Sequence, residues 1–180
     1  MLSGLLLLGL VGAPSPEAAA SAAATAVLRD QFGRPDSLAA HAGQPQVVFV
    51  VSAQRLRRLK QWEVELDRRL DGVGFLRIAD VPAEGGKPPT FDDVASKLRK
   101  RVPQPVRVLV DTERHWAAAL GLDTREVNVL AFDADARLVA HGRGGPRAET
   151  IGPLEAALLA LPGVRRKAAA GPASGTGARP

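Results

Sequence analysis

Apolar residues in this chain occur either in short unbroken runs or at helical spacing. Every position of Val47–Val51 is apolar and four of the five are β-branched, which predicts a strand buried on both faces of a sheet. Directly after this run comes a helical stripe, with Trp62 at its edge, that consists of Leu56, Leu59, Glu63, Leu66 and Leu70. The stretch Gln46–Leu70 is therefore predicted to be a central strand followed by a helix.

Apolar runs and apolar residues at helical spacing also predict the remaining strands and helices. Strands are predicted at Val27–Arg29, Gly74–Ala79 and Val106–Val110, and a β-hairpin at Asn128–Phe132 and Arg137–His141. Further helices are predicted at Thr90–Val102, Glu113–Leu120 and Thr150–Leu161. Because strands alternate with helices before the hairpin, we expect a parallel part of the sheet and an antiparallel edge. The predicted fold class is α/β, a mixed-sheet sandwich.

The N-terminal residues 1–24 differ from this body. They contain the apolar run Leu5–Val11, two prolines and the alanine-rich stretch Ala18–Ala24, a pattern typical of a secretory signal peptide. No Lys or Arg precedes the run, which is unusual for such a signal. The run is too short to span a bilayer, since a helix needs about 20 apolar residues for that. We predict cleavage near Ala22–Ala26 and a periplasmic or secreted mature chain that does not span a membrane.

The C-terminal residues 164–180 differ as well. A basic triplet, Arg165–Lys167, is followed by a segment of mostly Ala, Gly, Pro and Ser. Such a segment cannot bury enough apolar surface to offset the entropy of ordering it, so we predict a disordered tail. The predicted organisation is a signal peptide at residues 1–24, one folded domain at residues 25–163 and a tail at residues 164–180.

The charge balance leaves several classes of partner open. The chain has 24 Lys and Arg against 19 Asp and Glu, a formal net charge of +5, so nucleic acid, anionic lipid and acidic ligands are all candidates. No nucleic-acid recognition motif accompanies the charge, and much of it alternates with acids on the predicted helix faces. We therefore expect a solvated basic surface rather than a nucleic-acid site.

The absence of cysteine excludes whole classes of chemistry. With no Cys in 180 residues, the chain has no disulfide, no thiolate nucleophile and no Cys-ligated metal. It can therefore be neither a thiol–disulfide oxidoreductase nor a thiol peroxidase.

Three stretches, in order along the chain, carry a likeness to a known family. They are Asp30–Leu38 with Gly43–Pro45, then Val108–Leu122, then Leu130–Gly142. They resemble parts of the thioredoxin-like fold, in the branch that contains the peroxiredoxins and the extracytoplasmic thiol reductases. The first resembles the N-terminal segment of that fold, the second resembles the strand and short helix before its cis-proline, and the third resembles its final hairpin. The resemblance covers roughly residues 27–161. It implies a thioredoxin-like mixed-sheet sandwich with a C-terminal β-hairpin and helix.

The redox site of that family is missing here. By the resemblance, its thiol pair falls near Gln54 and Arg57, and its cis-proline falls near Val127. A cis peptide bond before a residue other than proline costs about 3–4 kcal/mol, so the bond before Val127 is expected to be trans. No catalytic residue of the family carries over, and no cofactor is predicted.

The start of the first predicted helix has an unusual charge. Arg55, Arg57 and Arg58 lie in its opening two turns, where the positive end of the helix dipole disfavours cations. With Gln54, and with Arg125 if that loop packs nearby, they form a candidate site for phosphate, a carboxylate or an acidic protein segment. The simpler interpretation, which we favour, is that the long side chains extend into water.

Other candidate residues have simpler explanations. His41, His115 and His141 lie in unrelated elements without ligand spacing, so no metal site is predicted. Ser52 has no partnered His or acid in a nucleophile motif, and we predict that it caps the helix.

These observations favour a non-catalytic binding or scaffolding protein of the cell envelope, with an unknown protein or an anionic ligand as its partner. Two alternatives stay open: a cysteine-independent enzyme on the same fold, and a basic module that binds anionic ligands, lipid or nucleic acid. A deep pocket with convergent polar groups would favour the enzyme, and a clustered basic patch would favour the module.

Overall fold

The computed structural model describes residues 15–82 and 89–168. Within these ranges the α-helices are α1 (Pro16–Thr25), α2 (Leu59–Arg69), α3 (Phe91–Arg101), α4 (His115–Leu120) and α5 (Ala148–Leu159). The strands are β1 (Leu28–Asp30), β2 (Pro35–Asp36), β3 (Gln46–Ser52), β4 (Leu70–Asp71), β5 (Gly74–Asp80), β6 (Leu109–Asp111), β7 (Asn128–Phe132), β8 (Leu138–Arg143) and β9 (Arg165–Arg166). There are also 3₁₀ helices at Leu38–His41 and at Ala53–Arg58, and we call the second one the junction helix.

Seven of these strands form one mixed sheet in the order β2-β1-β6-β5-β3-β7-β8. Strand β3 is parallel to β5 and antiparallel to β7, and β5 is parallel to β6. All seven residues of β3 are buried, as the unbroken apolar run predicted. The predicted mixed sheet with a parallel part and a late hairpin is therefore confirmed, although β6 is shorter than the predicted strand.

The two faces of the sheet are covered by different helices. Val48 and Val50 of β3 point to the face covered by α1 and α4, where Trp116 packs edge-on against Phe132. The alternate residues, including Phe49, point to the face covered by α2 and α5. Helix α3 covers the neighbouring part of that second face, over β6. The alternation follows from the period of two in a strand.

Helix α2 begins later than the sequence predicts. The chain after β3 first forms the junction helix, and the α-helical winding begins only at Leu59. The apolar residues Ala53, Leu56 and Leu59 are spaced by three, which matches the three residues per turn of a 3₁₀ helix. The side chain of Ser52 makes no capping hydrogen bond, so its predicted role as a helix cap is wrong.

The buried face of α2 also differs from the predicted stripe. Trp62 is completely buried at the centre of the face, not at its edge, and its indole N–H donates to the carbonyl of Gly144 over 2.8 Å. Glu63 lies at a half-buried position and pairs with Arg77 of β5. A large aromatic side chain occupies the core in preference to a carboxylate, because burying a charge is far more costly.

Helix α1 lies in the region predicted to be a signal peptide. Ser15 caps it by accepting from the backbone N–H of Ala18, and three of its alanines, Ala20, Ala23 and Ala24, are buried in the same cluster as Trp116 of α4. Residues 1–14 lie outside the described residues, so the apolar run Leu5–Val11 is not described. The signal peptide itself stays a prediction, but cleavage near Ala22–Ala26 would remove part of a packed helix.

The first residues of the predicted C-terminal tail pair with the body of the domain. Strand β9 is antiparallel to β4 and forms a small second sheet with it. Arg166 pairs with Glu155 of α5 over 2.9 Å, and Lys167 pairs with Asp67 of α2 over 3.0 Å. Residues 169–180 lie outside the described residues, so a disordered tail stays a prediction for them.

We predict that replacing Ala23 by Asp lowers the free energy of unfolding by at least about 2 kcal/mol, because it places an unpaired charge in the core. Ala22→Asp is the matched control, since Ala22 is exposed on the same helix, and we expect it to change stability by less than about 0.5 kcal/mol. Urea unfolding of the full-length protein measures both. Equal effects of the two substitutions would show that α1 does not contribute to the folded domain.

Candidate functional site

Three buried polar residues mark the carboxyl ends of the parallel strands. Ser52 of β3 is in register with Asp80 of β5, and Asp80 is in register with Asp111 of β6. All three are buried, the two carboxylates completely. In open α/β sheets ligands bind outside this edge, so it is the first place to look for a site.

The carboxylate of Asp80 ties this edge to the loop that precedes β7. It accepts a short hydrogen bond from the hydroxyl of Thr124 and a longer one, 3.3 Å, from Nε of Arg114. The backbone N–H of Ser52 donates to the carbonyl of Thr124 over 2.9 Å. Asp80 and Ser52 therefore fix the position of residue 124, which is 44 residues beyond Asp80 in the chain.

Asp111 has a separate structural role at the start of α4. Its two carboxylate oxygens accept from the backbone N–H groups of His115 and Trp116, over 3.0 and 2.9 Å. It therefore caps the helix, because it satisfies donors that have no partner within the first turn. The sequence predicted that this helix begins at Glu113, whereas it begins two residues later, at His115. Arg114 adopts a left-handed conformation with φ of 60° where the chain enters α4.

A small cavity of about 260 Å³, which we call the junction pocket, opens beside this edge. Its polar lining consists of Ser52, Gln54, Arg55, Arg114, Asp123, Thr124 and Arg125. Arg55 donates from Nη1 to the backbone carbonyl of Arg125 over 3.0 Å. The loop that carries Arg125 therefore packs against the junction helix, as the anion-site hypothesis required.

The charge of Arg125 is already partly neutralised. Its Nε and Nη2 both donate to the carboxylate of Asp123 over 2.9 Å, and Arg143 donates to the same carboxylate over 2.6 Å. The side-chain and backbone hydrogen bonds from Arg125, with the charges of both arginines, hold the pKa of Asp123 well below its usual range. The pocket therefore contains the carboxylate of Asp123 and the three cations Arg55, Arg114 and Arg125, while Arg143 reaches that carboxylate from outside the pocket lining.

The structure separates the five residues of the predicted anion site. Gln54, Arg55 and Arg125 lie together at the junction pocket. Arg57 lies instead in a second, larger cavity of about 840 Å³ between the start of α2 and the end of α3, which we call the α2–α3 groove. Arg58 is exposed and lines neither cavity. The junction helix also has only six residues, so it offers little of the dipole that an anion would use.

Val127 occupies the position where the family has its cis-proline, and hydrogen bonds of the next residue, Asn128, hold the chain there. Val127 is buried immediately before β7, and the peptide bond before it is trans. The neighbouring Asn128 is buried, and its amide donates to the carbonyls of Asp123 and Glu126 over 3.1 and 3.2 Å. Its side-chain oxygen lies 3.2 Å from Nε2 of His141, whose pKa is lowered by burial and then by the charge of Arg143.

Sequence reasoning missed the residues that hold this edge together. The predicted strands stop just before Asp80 and Asp111, and neither the side chain of Thr124 nor that of Asn128 was predicted to have a role. The sequence did indicate where the two aspartates lie, because an Asp directly after an apolar run falls at the carboxyl end of a strand. Their partners lie far away in the chain, and no local pattern identifies such pairs.

The histidines do not form a metal site in the part of the chain that the structure describes. His41 pairs with Asp36, and His115 contacts Asp111 and Glu113. Within residues 15–82 and 89–168, no three His, Asp or Glu side chains are grouped so that they could hold a metal ion.

We predict that Thr124→Val lowers the free energy of unfolding by about 1–3 kcal/mol, because it removes a donor from the buried carboxylate of Asp80. Thr112→Val is the matched control, since the half-buried Thr112 donates no side-chain hydrogen bond among the described residues. Urea unfolding of both variants measures the difference. A cost no larger than that of the control would contradict a structural role for the Thr124–Asp80 contact.

Comparison with known proteins identifies structures with a similar fold but no relative that is similar in sequence. No protein-family model matches this sequence, and no curated protein matches it. Among solved structures, the pneumococcal exposed lipoprotein thioredoxin (Etrx1) from Streptococcus pneumoniae is 16% identical with a TM-score of 0.57, over 73% of this chain and 97% of that chain. MTB dsbF is 13% identical with a TM-score of 0.52, over 76% of this chain and 97% of that chain.

At these identities the likeness concerns the fold alone. The element order, the mixed sheet and the terminal hairpin and helix all agree with the predicted architecture. Gln54 and Arg57 lie after the central strand, and the chain contains no cysteine. This protein therefore has a thioredoxin-like fold that lacks the active-site cysteines and the cis-proline of the redox proteins it resembles.

Proposed function

We propose that this protein is a non-catalytic binding domain of the cell envelope, built on a thioredoxin-like fold, and that the junction pocket is its binding site. The observation that carries the proposal is a cavity at the end of the central strand whose lining has three cations, Arg55, Arg114 and Arg125, against the single carboxylate of Asp123. Guanidinium groups around a small cavity suit an anion, either a phosphate or a carboxylate.

The polar groups at the strand ends support binding rather than catalysis. The carboxylates of Asp80 and Asp111 are buried and each accepts hydrogen bonds that hold a loop or a helix in place. A general base must instead be free to reach a substrate proton. Ser52 has no His or carboxylate partner among the hydrogen bonds of the described residues, so it has no base to activate it.

The envelope location is supported by two observations. The apolar run Leu5–Val11 is typical of an export signal. One of the proteins with a similar fold is described as an exposed lipoprotein. No helix in the described ranges is long and apolar enough to cross a membrane.

The anion site predicts stabilisation of the full-length protein by inorganic phosphate. At a phosphate concentration of ten times the dissociation constant, the gain in unfolding free energy is about 1.4 kcal/mol, measured as a higher melting temperature. We expect Arg55→Glu to abolish this gain. We expect Arg57→Glu and Arg58→Glu to retain it, because neither residue lines the junction pocket.

The variants also separate the two forms of the site. Loss of the phosphate effect with Arg57→Glu alone would favour the five-residue site predicted from the sequence. No stabilisation of the parent protein by phosphate or by a dicarboxylate would end the anion proposal. A screen for cysteine-independent activities tests the alternative that the protein is an enzyme. Turnover of a substrate that is lost on substitution of Asp80 or Ser52 would favour that alternative over a binding domain.

Export is tested with alkaline phosphatase fused to the C-terminus, because that reporter needs disulfides that form only outside the cytoplasm. We expect an active fusion. We also expect N-terminal sequencing to place the mature start at or before Ser15, since α1 packs in the core. An inactive fusion would contradict export. A mature start within Ala22–Ala26 would confirm the original cleavage prediction and contradict a structural role for α1.

A further inference from the structure

The α2–α3 groove lies on the face of the sheet that α2, α3 and α5 cover. Gln54 is the one lining residue that it shares with the junction pocket. One wall is the junction helix and the start of α2, and the other is the C-terminal half of α3. Its volume of about 840 Å³ is within the range of small-molecule sites, roughly 300–1,000 Å³.

The groove has an apolar floor and walls. Leu59, Leu98 and Val108 are buried there and belong to the core, whereas three further residues, Leu56, Val102 and Val106, are only half-buried. Helix α3 ends at Arg101, and Val102 and Pro103, which follow it, continue the lining of the groove toward β6. A concave and mostly apolar surface of this kind is the usual form of a small-molecule site.

Cations surround this apolar surface. Arg57, Lys60 and Arg101 line the groove at exposed positions. Within the described ranges no carboxylate lies within ion-pair distance of these three side chains. The acid that lines the groove, Glu63, is paired with Arg77, so it does not neutralise the others. The groove therefore combines an apolar interior with positive charge at its edge that no acid of residues 15–82 or 89–168 pairs with.

The groove is also extended. A smaller cavity of about 130 Å³ shares Leu98 and Arg101 with it and continues the apolar lining to Val81 and Val94. A compact anion would leave the apolar floor exposed, and an uncharged apolar molecule would make no use of the cations. A linear molecule with an aliphatic chain and one negative head satisfies both.

We propose that the α2–α3 groove binds a free long-chain aliphatic carboxylate, with the chain along the floor of the groove and the carboxylate attracted jointly by Arg57, Lys60 and Arg101 at its edge. The proposal does not depend on the junction pocket, because the two cavities use different cations. It assigns a ligand class to a surface that the fold alone would leave without a function.

The affinity should rise with the length of the chain. Each methylene removed from water strengthens binding by roughly threefold to fourfold until the groove is filled. Isothermal titration of the full-length protein with decanoate, dodecanoate and hexadecanoate, each below its aggregation concentration, measures this series. We expect one saturable site, and we expect hexadecanol to bind more weakly than hexadecanoate because it has no charge.

A pair of variants tests the cationic edge. Arg101→Glu reverses a charge that lines the groove, and we expect it to weaken hexadecanoate binding by roughly fivefold to tenfold. Lys100→Glu is the matched control, since Lys100 is exposed on the same helix, outside the groove, and we expect unchanged affinity. The melting temperatures without ligand should agree for both variants. Val106→Trp, which fills the groove, should prevent binding in a protein that still binds phosphate at the junction pocket.

Three results would overturn the proposal. The first is the absence of saturable binding by any carboxylate of the series. The second is an equal effect of Arg101→Glu and Lys100→Glu, which would show attraction by net charge alone. The third is binding to vesicles that contain anionic phospholipid without binding to monomeric carboxylates, which would assign the groove to a membrane surface instead.

Discussion

The complete burial of β3 is the constraint on which the rest of the structure depends. None of its seven residues is more than 6% exposed. A strand in this position needs hydrogen-bond partners on both edges and apolar cover on both faces. Strands β5 and β7 supply the first, and the helix pairs α1 with α4 and α2 with α5 supply the second. Burial of each Val or Phe side chain of β3 stabilises the fold by about 1.5–3 kcal/mol. Because these side chains alternate between the two faces, β3 holds both helix layers to the sheet.

The same strand determines where the polar residues meet. Because β3, β5 and β6 are parallel and in register, their last residues, Ser52, Asp80 and Asp111, fall side by side. In a redox protein of this fold the adjacent junction presents thiols, and a proline shapes the loop opposite. Here Thr124 and Asn128 hold that loop by side-chain hydrogen bonds. The edge has therefore kept its architecture while its buried polar groups serve the fold.

The sequence predicted those parts of the fold that follow from local apolar patterns. Val47–Val51, Gly74–Ala79 and the hairpin were predicted because their buried runs have strand periodicity. Helix α1 was missed because an alanine-rich stretch after an apolar run suits a signal peptide as well as a helix that packs closely through small residues. The contact of Asp80 with Thr124 could not be predicted, since it depends on the register of strands far apart in sequence.

The arginines of the junction helix show a limit of a different kind, because the sequence contained only part of the information needed to separate them. Residues two apart on a helix do not face each other, whereas residues three apart do. Gln54 and Arg57 share a face and both line the α2–α3 groove, and Gln54 also lines the junction pocket beside Arg55. Arg58 lies three residues after Arg55 but lines neither cavity. The unfavourable charge at this helix start is thus divided between two cavities. The short 3₁₀ winding also keeps the dipole that opposes these cations small.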